Sequence, residues 1–282
     1  MYNHALKRNH YSLPTIEDIL PQLAKVKYFT VLDAKNGFWQ VPLHEASSYA
    51  TTFGTPWGRF RWLHMPFGIA PAPEQFQRRI DQALIGLKGC NSIADDILVV
   101  GCGETTKEAM EDHDSNLRNL LQRCREKGTK LNGGKVQLRR MEVSHMGHTL
   151  TGEGLKPDAW KIKTVQEMPP PKDKRAVQRL LGMTNYLQRF APNLSKVTNP
   201  LRELTKKESE FIWDESVYGL ALAETKRILS AAPVLRYFDP AITPVLQCDA
   251  SMHGWGLPDT RRTTCGIRLS IAHRHGSKLC AD

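Results

Sequence analysis

A chain of 282 residues, 40% apolar and 24% charged, is long enough for about two ordinary domains and has a globular composition that excludes wholesale disorder. A formal net charge of +10 points to a polyanionic partner, although surfaces this basic also occur on proteins that never touch nucleic acid. Six scattered cysteines form no Cys-x-x-Cys pair, no apolar run spans a bilayer and no signal peptide opens the chain; the expectation is a soluble intracellular protein of a reducing compartment, with no membrane partner.

In chain order, TIEDILPQLAK (15–25) predicts a short amphipathic helix, with Thr15 as N-cap and Asp18 three residues on. YFTVLDA, Tyr28 to Ala34, predicts a strand that ends in a turn at Gly37, and FWQVPL, Phe38 to Leu43, predicts a second strand. Behind prolines at 71 and 73, Phe76, Ile80, Ala83, Leu84 and Leu87 share one helical face. SIADDILVV (92–100) predicts strand–turn–strand. Residues 107–128 are charged and helical, and Gly128 is their natural stop. Pro169-Pro170-Pro171 predicts an extended linker. Lys174 to Phe190 and Asp214 to Ala231 predict a helical, basic section, and Pro244 to Ser251 a last strand carrying a carboxylate. There is no internal repeat, and the elements interleave without regular βαβ spacing, which favours an α+β fold over a doubly wound sheet.

Three carboxylates stand out. Asp33 ends one apolar strand, and Asp95-Asp96 interrupt another apolar run, where a charge is costly unless paired or bound to a cation. Successive strand residues face opposite sides, so Asp95 and Asp96 share a site only if the chain turns between them and brings both to a sheet edge facing Asp33. Three close carboxylates raise one another's pKa unless divalent ions neutralise them, and oxygen-only ligation suits Mg²⁺ or Mn²⁺. An exposed hairpin tip is the plainer reading of an Asp pair, but the tip has none of the Gly, Asn or Pro that such a tip favours. By pattern alone the two readings stand level.

The surrounding segments resemble reverse transcriptases of long-terminal-repeat retrotransposons, specifically the gypsy-like group. FTVLDAKNGFWQVPL is similar to the first palm motif, RFRWLHMPFGIAPAPEQFQRRID to the second, IADDILV to the third, and LNGGKVQLRRMEVSHMGHTLTGEGLKPD to the late palm and primer grip. Order and spacing match from about Asn3 to Trp255. The resemblance implies a right-hand polymerase fold: partial fingers and palm over 1–154, helical thumb and connection over 155–235, and the start of a ribonuclease H-like domain over 236–257. It implies an RNA-directed DNA polymerase that extends a primer 3′-end. Asp33 and Asp95 would hold two Mg²⁺ (or Mn²⁺) ions, with Asp96 in support. Phe38 would close against the sugar and exclude a 2′-hydroxyl, Phe67-Gly68 would pack the incoming nucleotide, and Lys135 would be an acid for pyrophosphate. Partners would be an RNA or DNA template with its primer and deoxynucleoside triphosphates; oligomeric state is not implied. His145 and His148, at the primer grip, have a metal-like spacing but no third ligand nearby and read as structural. The basic stretch from Lys161 to Arg202 would track the duplex backbone.

The chain departs from the family pattern in three places. The Tyr usual two places before the first Asp of the third motif is Ile93 here, followed by Ala94. The chain opens at a point matching the middle of the fingers, and the upstream Lys and Arg that grip the triphosphate have no equivalent. Asp249 matches the first ribonuclease H carboxylate, but 258–282 is unfamiliar and no ribonuclease H activity is expected. Shifting the codon frame from Arg261 to Ala281 permits DGRPVAYASRSLTDTEANYAQ, which resembles the family's continuation, so 258–282 reads as an out-of-frame stretch. The competing functional reading is a truncated, catalytically dead remnant that only binds nucleic acid.

Overall fold

The structure, a computed structural model, describes residues 6, 10–191, 194–206, 210–231 and 233–238, and the backbone of 249–251 and 254–256. Its two units are 1–146 with 150–152, and 147–149 with 153–282.

The first unit opens on α1 (Ile16–Ile19), whose Asp18 carboxylate accepts from the Thr15 N–H at 2.7 Å. The helix expected to run to residue 25 tightens into a 3-10 turn over Leu20–Leu23, because Pro21 has no N–H to continue an α-helical ladder. β1 (Val26–Asp33) follows. The strand expected over Phe38–Leu43 is instead a 3-10 turn, Gly37–Gln40. Asn36 adopts a left-handed φ of 52°, and i+3 bonds from Trp39 N–H to Asn36 O and from Val41 N–H to Phe38 O close the turn. Only Val41 to Leu43 then bond the stretch 63–65. α2 (Glu45–Tyr49) precedes a small hairpin, β2 (Phe53–Thr55) and β3 (Gly58–Phe60).

α3 (Ala72–Leu84) turns Phe76 and Ile80 inward, as their spacing of four predicts. β4 (Cys90–Ile93) and β5 (Asp96–Cys102) are the expected strand–turn–strand. α4 (Thr106–Lys127) starts on a Thr105–Glu108 capping box and stops at Gly128, left-handed at φ 70°. With β6 (Gln137–Arg140) the strands form an antiparallel sheet of order β4-β5-β1-β6. α3 and α4 cover one face: Leu32, Ile97 and Val99 pack with Phe76, Ile80 and Leu120. Phe29, Val31, Leu98 and Val100, on the other face, are also buried. The central strands therefore read as continuous apolar runs rather than alternations. Arg123 of α4 donates to Ala83 O and Ile85 O, satisfying orphan carbonyls at the end of α3. Buried His113 links Thr30 Oγ1 (2.8 Å) to Asp114 (3.2 Å), which Arg139 holds through two further bonds.

Three short strands follow, β7 (Glu142–His145), β8 (His148–Thr151) and β9 (Gly154–Pro157), and the boundary between the units runs through them. The second unit is mainly helical: α5 (Ala159–Glu167), α6 (Lys174–Leu187), α7 (Leu194–Glu203) and α8 (Leu220–Ser230), the last entered through a π turn at Glu215–Gly219. Val165, Val177, Leu180, Leu187, Leu201 and Leu229 supply its core. Residues 169–171 carry no regular secondary structure. Of the expected strand at 244–251, β10 (Asp249–Ser251) is described, paired with β11 (Gly254–Gly256). Its first residues, the Asp249 side chain and the whole of 258–282 lie outside the described residues. Among the described residues no helix is long and apolar enough to cross a membrane.

Candidate active site

The site is built by strand register. Asp33, the last residue of β1, is the direct partner of Asp96, the first of β5, so the two side chains leave the same face of the sheet. Asp95 occupies the two-residue turn between Ile93 and Asp96. Its carbonyl accepts from the Ala34 N–H at 2.8 Å, which ties the turn to the end of β1. Like charges set directly opposite destabilise an antiparallel pair. Burial and the neighbouring Asp33 charge push the carboxyls of both Asp95 and Asp96 above their ordinary value, with Asp95 adding to the effect on Asp96.

One cation works against that repulsion. Lys135 Nζ donates to Asp33 Oδ2 at 2.8 Å, and this bond raises the lysine's own pKa, so it stays charged. Asn132 adds a side-chain bond to Asp33 Oδ1 (3.3 Å) and donates its N–H to the Asp33 carbonyl (2.8 Å). His145, buried, places Nδ1 3.9 Å from Asp96 Oδ2. His148 Nδ1 lies 3.0 Å from the Tyr186 hydroxyl.

Access to Asp95 depends on Gly37. A Cβ there would lie 2.7 Å from Asp95 Oδ1 and 2.7 Å from Phe76 Cζ, so only glycine lets the turn after β1 approach so closely. Phe38 follows, half-buried, its ring 5.7 Å from Phe76 and 5.3 Å from Phe67. Phe67 is 61% exposed beside Gly68, whose φ of +85° is left-handed. Asp33, Asp95, Asp96 and Lys135 are therefore brought together, and Phe38 links them through Gly37 to Phe67 and Gly68.

The donors are carboxylate oxygens, which suit a hard divalent cation. Two carboxyls held above their ordinary value are what such a cation would relieve, so the residues fit one. Among the described residues no three His, Cys, Asp or Glu side chains form a ready-made cage, which agrees with Lys135 lying on Asp33.

Sequence reasoning assigned no role to Asn132 or Gln77. Asn132 carried no signal beyond its closeness to Lys135. Gln77 did carry one: with Asp81 it makes an i,i+4 polar pair beside the Phe76–Ile80 stripe, in a helix whose other inward residues are mostly apolar.

Residues 1–150 match the family described as reverse transcriptase (RNA-dependent DNA polymerase). The chain is 33% identical, over 96% of its length, to the Retrovirus-related Pol polyprotein from transposon 412 of Drosophila melanogaster. It is 31% identical, over 90% of its length, to the Enzymatic polyprotein of Cauliflower mosaic virus (strain NY8153). It spans 21% and 37%, respectively, of these two curated relatives. Among solved structures, the foamy viral protease-reverse transcriptase in complex with RNA/DNA hybrid matches with a TM-score of 0.78 at 25% identity, over 90% of this chain and 34% of that one. The same viral protein in complex with dsDNA gives a TM-score of 0.79 at 25% identity, over 90% and 52%. A mixed α and β fold shared with these polymerases, together with the matched residues and the relatives' identity, places the chain in the reverse transcriptase family.

Proposed function

We propose that this chain is the RNA-directed DNA polymerase module of a gypsy-like retrotransposon polyprotein, extending a primer 3′-end with deoxynucleotides. The observation that carries the reading is the pairing of Asp33 with Asp96 across β1 and β5, with Asp95 in the adjoining turn, in a chain of this family. Asp33 and Asp95 would hold two Mg²⁺ (or Mn²⁺) ions, with Asp96 supporting them. Such ions, when bound, acidify the primer hydroxyl and neutralise the leaving pyrophosphate. Lys135, kept charged by its bond to Asp33, holds a proton for that pyrophosphate. Phe38, whose ring lies against Phe76 and Phe67, would pack against the sugar and exclude a 2′-hydroxyl, and Phe67, exposed beside Gly68, would pack the incoming nucleotide; those ring contacts and that exposure support the reading. In this reading 1–154 are partial fingers and palm, 155–235 thumb and connection, and 236–257 the start of a ribonuclease H-like domain. Template and primer, RNA or DNA, would run along the basic helices between Lys161 and Arg202; the relatives solved with dsDNA and with RNA/DNA hybrid support such partners.

Mg²⁺-dependent extension of a DNA primer on an RNA template tests the assignment, with Asp95→Asn expected to reduce it to background. Undiminished synthesis by that variant would refute it. One observation favours a second reading, a remnant that binds nucleic acid without synthesis: Lys135 occupies Asp33, and no carboxylate cage is preassembled among the described residues. Salt-sensitive binding with no Mg²⁺-dependent extension would establish that reading instead.

A further inference from the structure

Ala94, next to Asp95, has φ 52°. That left-handed conformation costs an ordinary L-residue roughly 1–2 kcal/mol, and it is where a tight turn usually places Gly or Asn. Something outside the turn must therefore hold it. The Ala94 N–H donates to Gln77 Oε1 at 2.7 Å, and Gln77, on α3, is fully buried. The other end of the amide is fixed as well: Nε2 donates to Asp81 Oδ1 (2.8 Å), Ser92 Oγ (2.9 Å) and Ser92 O (3.3 Å). Ser92 Oγ donates to the same Asp81 oxygen at 2.9 Å, and the Tyr11 hydroxyl donates to Asp81 Oδ2 at 2.7 Å.

This arrangement permits one orientation of the amide. Flipping it would set Nε2 against the Ala94 N–H, donor to donor, and Oε1 against the Asp81 carboxylate, acceptor to acceptor. The turn is thereby clamped from two sides by bonds outside the β4–β5 ladder. Its Ala94 N–H is held by α3, and its Asp95 carbonyl by Ala34 after β1. The residue between those tethers is the carboxylate that Gly37 leaves room for.

We propose that Gln77 is a positioning residue for Asp95, oriented by Asp81, Ser92 and Tyr11, and that it sets divalent-metal affinity without touching the metal. This rests on the reading that Asp95 holds a metal ion. Residues that orient a ligand from behind typically change metal affinity about 10–100-fold. If Gln77 were only a satisfied core amide, its loss would lower stability and leave the Asp95 site unchanged.

The test is Mn²⁺ titration of the full chain by calorimetry, beside thermal melts. Gln77→Met keeps the side-chain volume and removes the amide, and it is expected to weaken Mn²⁺ binding by about tenfold. Adding Ala94→Gly, which removes the left-handed penalty, is expected to restore affinity to within about threefold of wild type. Asn116→Ala is the matched control. Asn116 is another buried amide bonded to the β5 backbone, at Val100 O, away from the turn, and its loss should lower the melting temperature with Mn²⁺ affinity intact. Weakened Mn²⁺ binding in Asp95→Asn but wild-type binding in Gln77→Met would overturn the positioning role alone. Unchanged binding in Asp95→Asn would overturn the metal reading on which it rests. Should Gln77→Met not fold, amide hydrogen exchange of the wild-type chain decides: Ala94 is exposed, yet its N–H should be protected, and exchange at the rate of an unbonded amide would refute the clamp.

Discussion

Two hairpins in the first unit have two-residue tips and are built on opposite plans. In β2–β3 the tip Pro56-Trp57 lies between Thr55 and Gly58, and its own residues hold it. Thr55 Oγ1 donates to Gly58 O (3.0 Å) and accepts from Trp57 N–H (3.2 Å), and Gly58 takes a φ of +127°. In β4–β5 the tip Ala94-Asp95 contains no Gly, Pro or Asn and is held by Gln77 on one side and Ala34 on the other. A tip closed by turn chemistry uses its positions for the turn. A tip held by tertiary contacts needs no Gly, Asn or Pro, so an ordinary Ala can take the left-handed position beside a carboxylate kept for the site.

The widest gap between the two should appear in the strands behind the tips. Leu98, in the middle of β5, is fully buried, so Leu98→Ala should lose about 2–5 kcal/mol in urea unfolding. Phe60 of β3 is 49% exposed, and Phe60→Ala should lose less than about 1 kcal/mol. Equal losses would show the small hairpin to be as integral to the core as the four-stranded sheet. A narrower contrast lies in two glycines. Gly37→Ala places a methyl 2.7 Å from both Asp95 Oδ1 and Phe76 Cζ and should cost about 1–3 kcal/mol, weakening Mn²⁺ binding along with stability. Gly54→Ala in β2 meets nothing within 4 Å, and its melting temperature should be unchanged. A neutral Gly37→Ala would mean that the turn after β1 yields easily and does not fix Asp95.

The same contrast explains what could be read from the sequence. The β4–β5 hairpin was legible because buried strands are written as apolar runs, and the interrupting Asp95-Asp96 stood out against them. α4 was legible as a charged helical stretch with its stop at Gly128. The helix α3 was legible from its spacing. Gly37 marked a turn, but the 3-10 continuation of that turn through Gln40 was not legible. FWQVPL is as apolar and aromatic as a strand, and what bends it is a left-handed Asn36 and a set of i+3 bonds; Gln40 adds a local bond to Lys35 O and a long-range one to Lys130 O. The β2–β3 hairpin escaped notice because three-residue strands leave no periodicity to detect. Within the site, the carboxylates were visible as misplaced charge, and Gln77 left a local trace in its i,i+4 pairing with Asp81. The bonds of Gln77 to Ser92 and Ala94 and of Asn132 to Asp33, however, join residues 15 or more positions apart, which no local pattern records.

The smallest predicted effect concerns the cost of charge at the tertiary-held tip. Asp96 has its carboxyl raised above the ordinary 3.8 by burial, then by Asp33 and Asp95, with Lys135 opposing. A carboxyl raised on folding binds its proton more tightly in the native chain than in the unfolded one. Stability therefore falls as pH climbs from the ordinary value through the raised one, and the full penalty persists at neutral pH. Without divalent metal, Asp96→Asn should raise the melting temperature at pH 7 by on the order of 1–3 °C. Below the ordinary carboxyl pKa, where wild type is also neutral at this position, the gain should vanish. Gly54→Ala, in the hairpin that carries no such charge, should show no pH-dependent difference from wild type. A rise at pH 7 that persisted unchanged at low pH would trace the gain to packing rather than charge, and would remove the electrostatic reason for a cation at this end of the sheet.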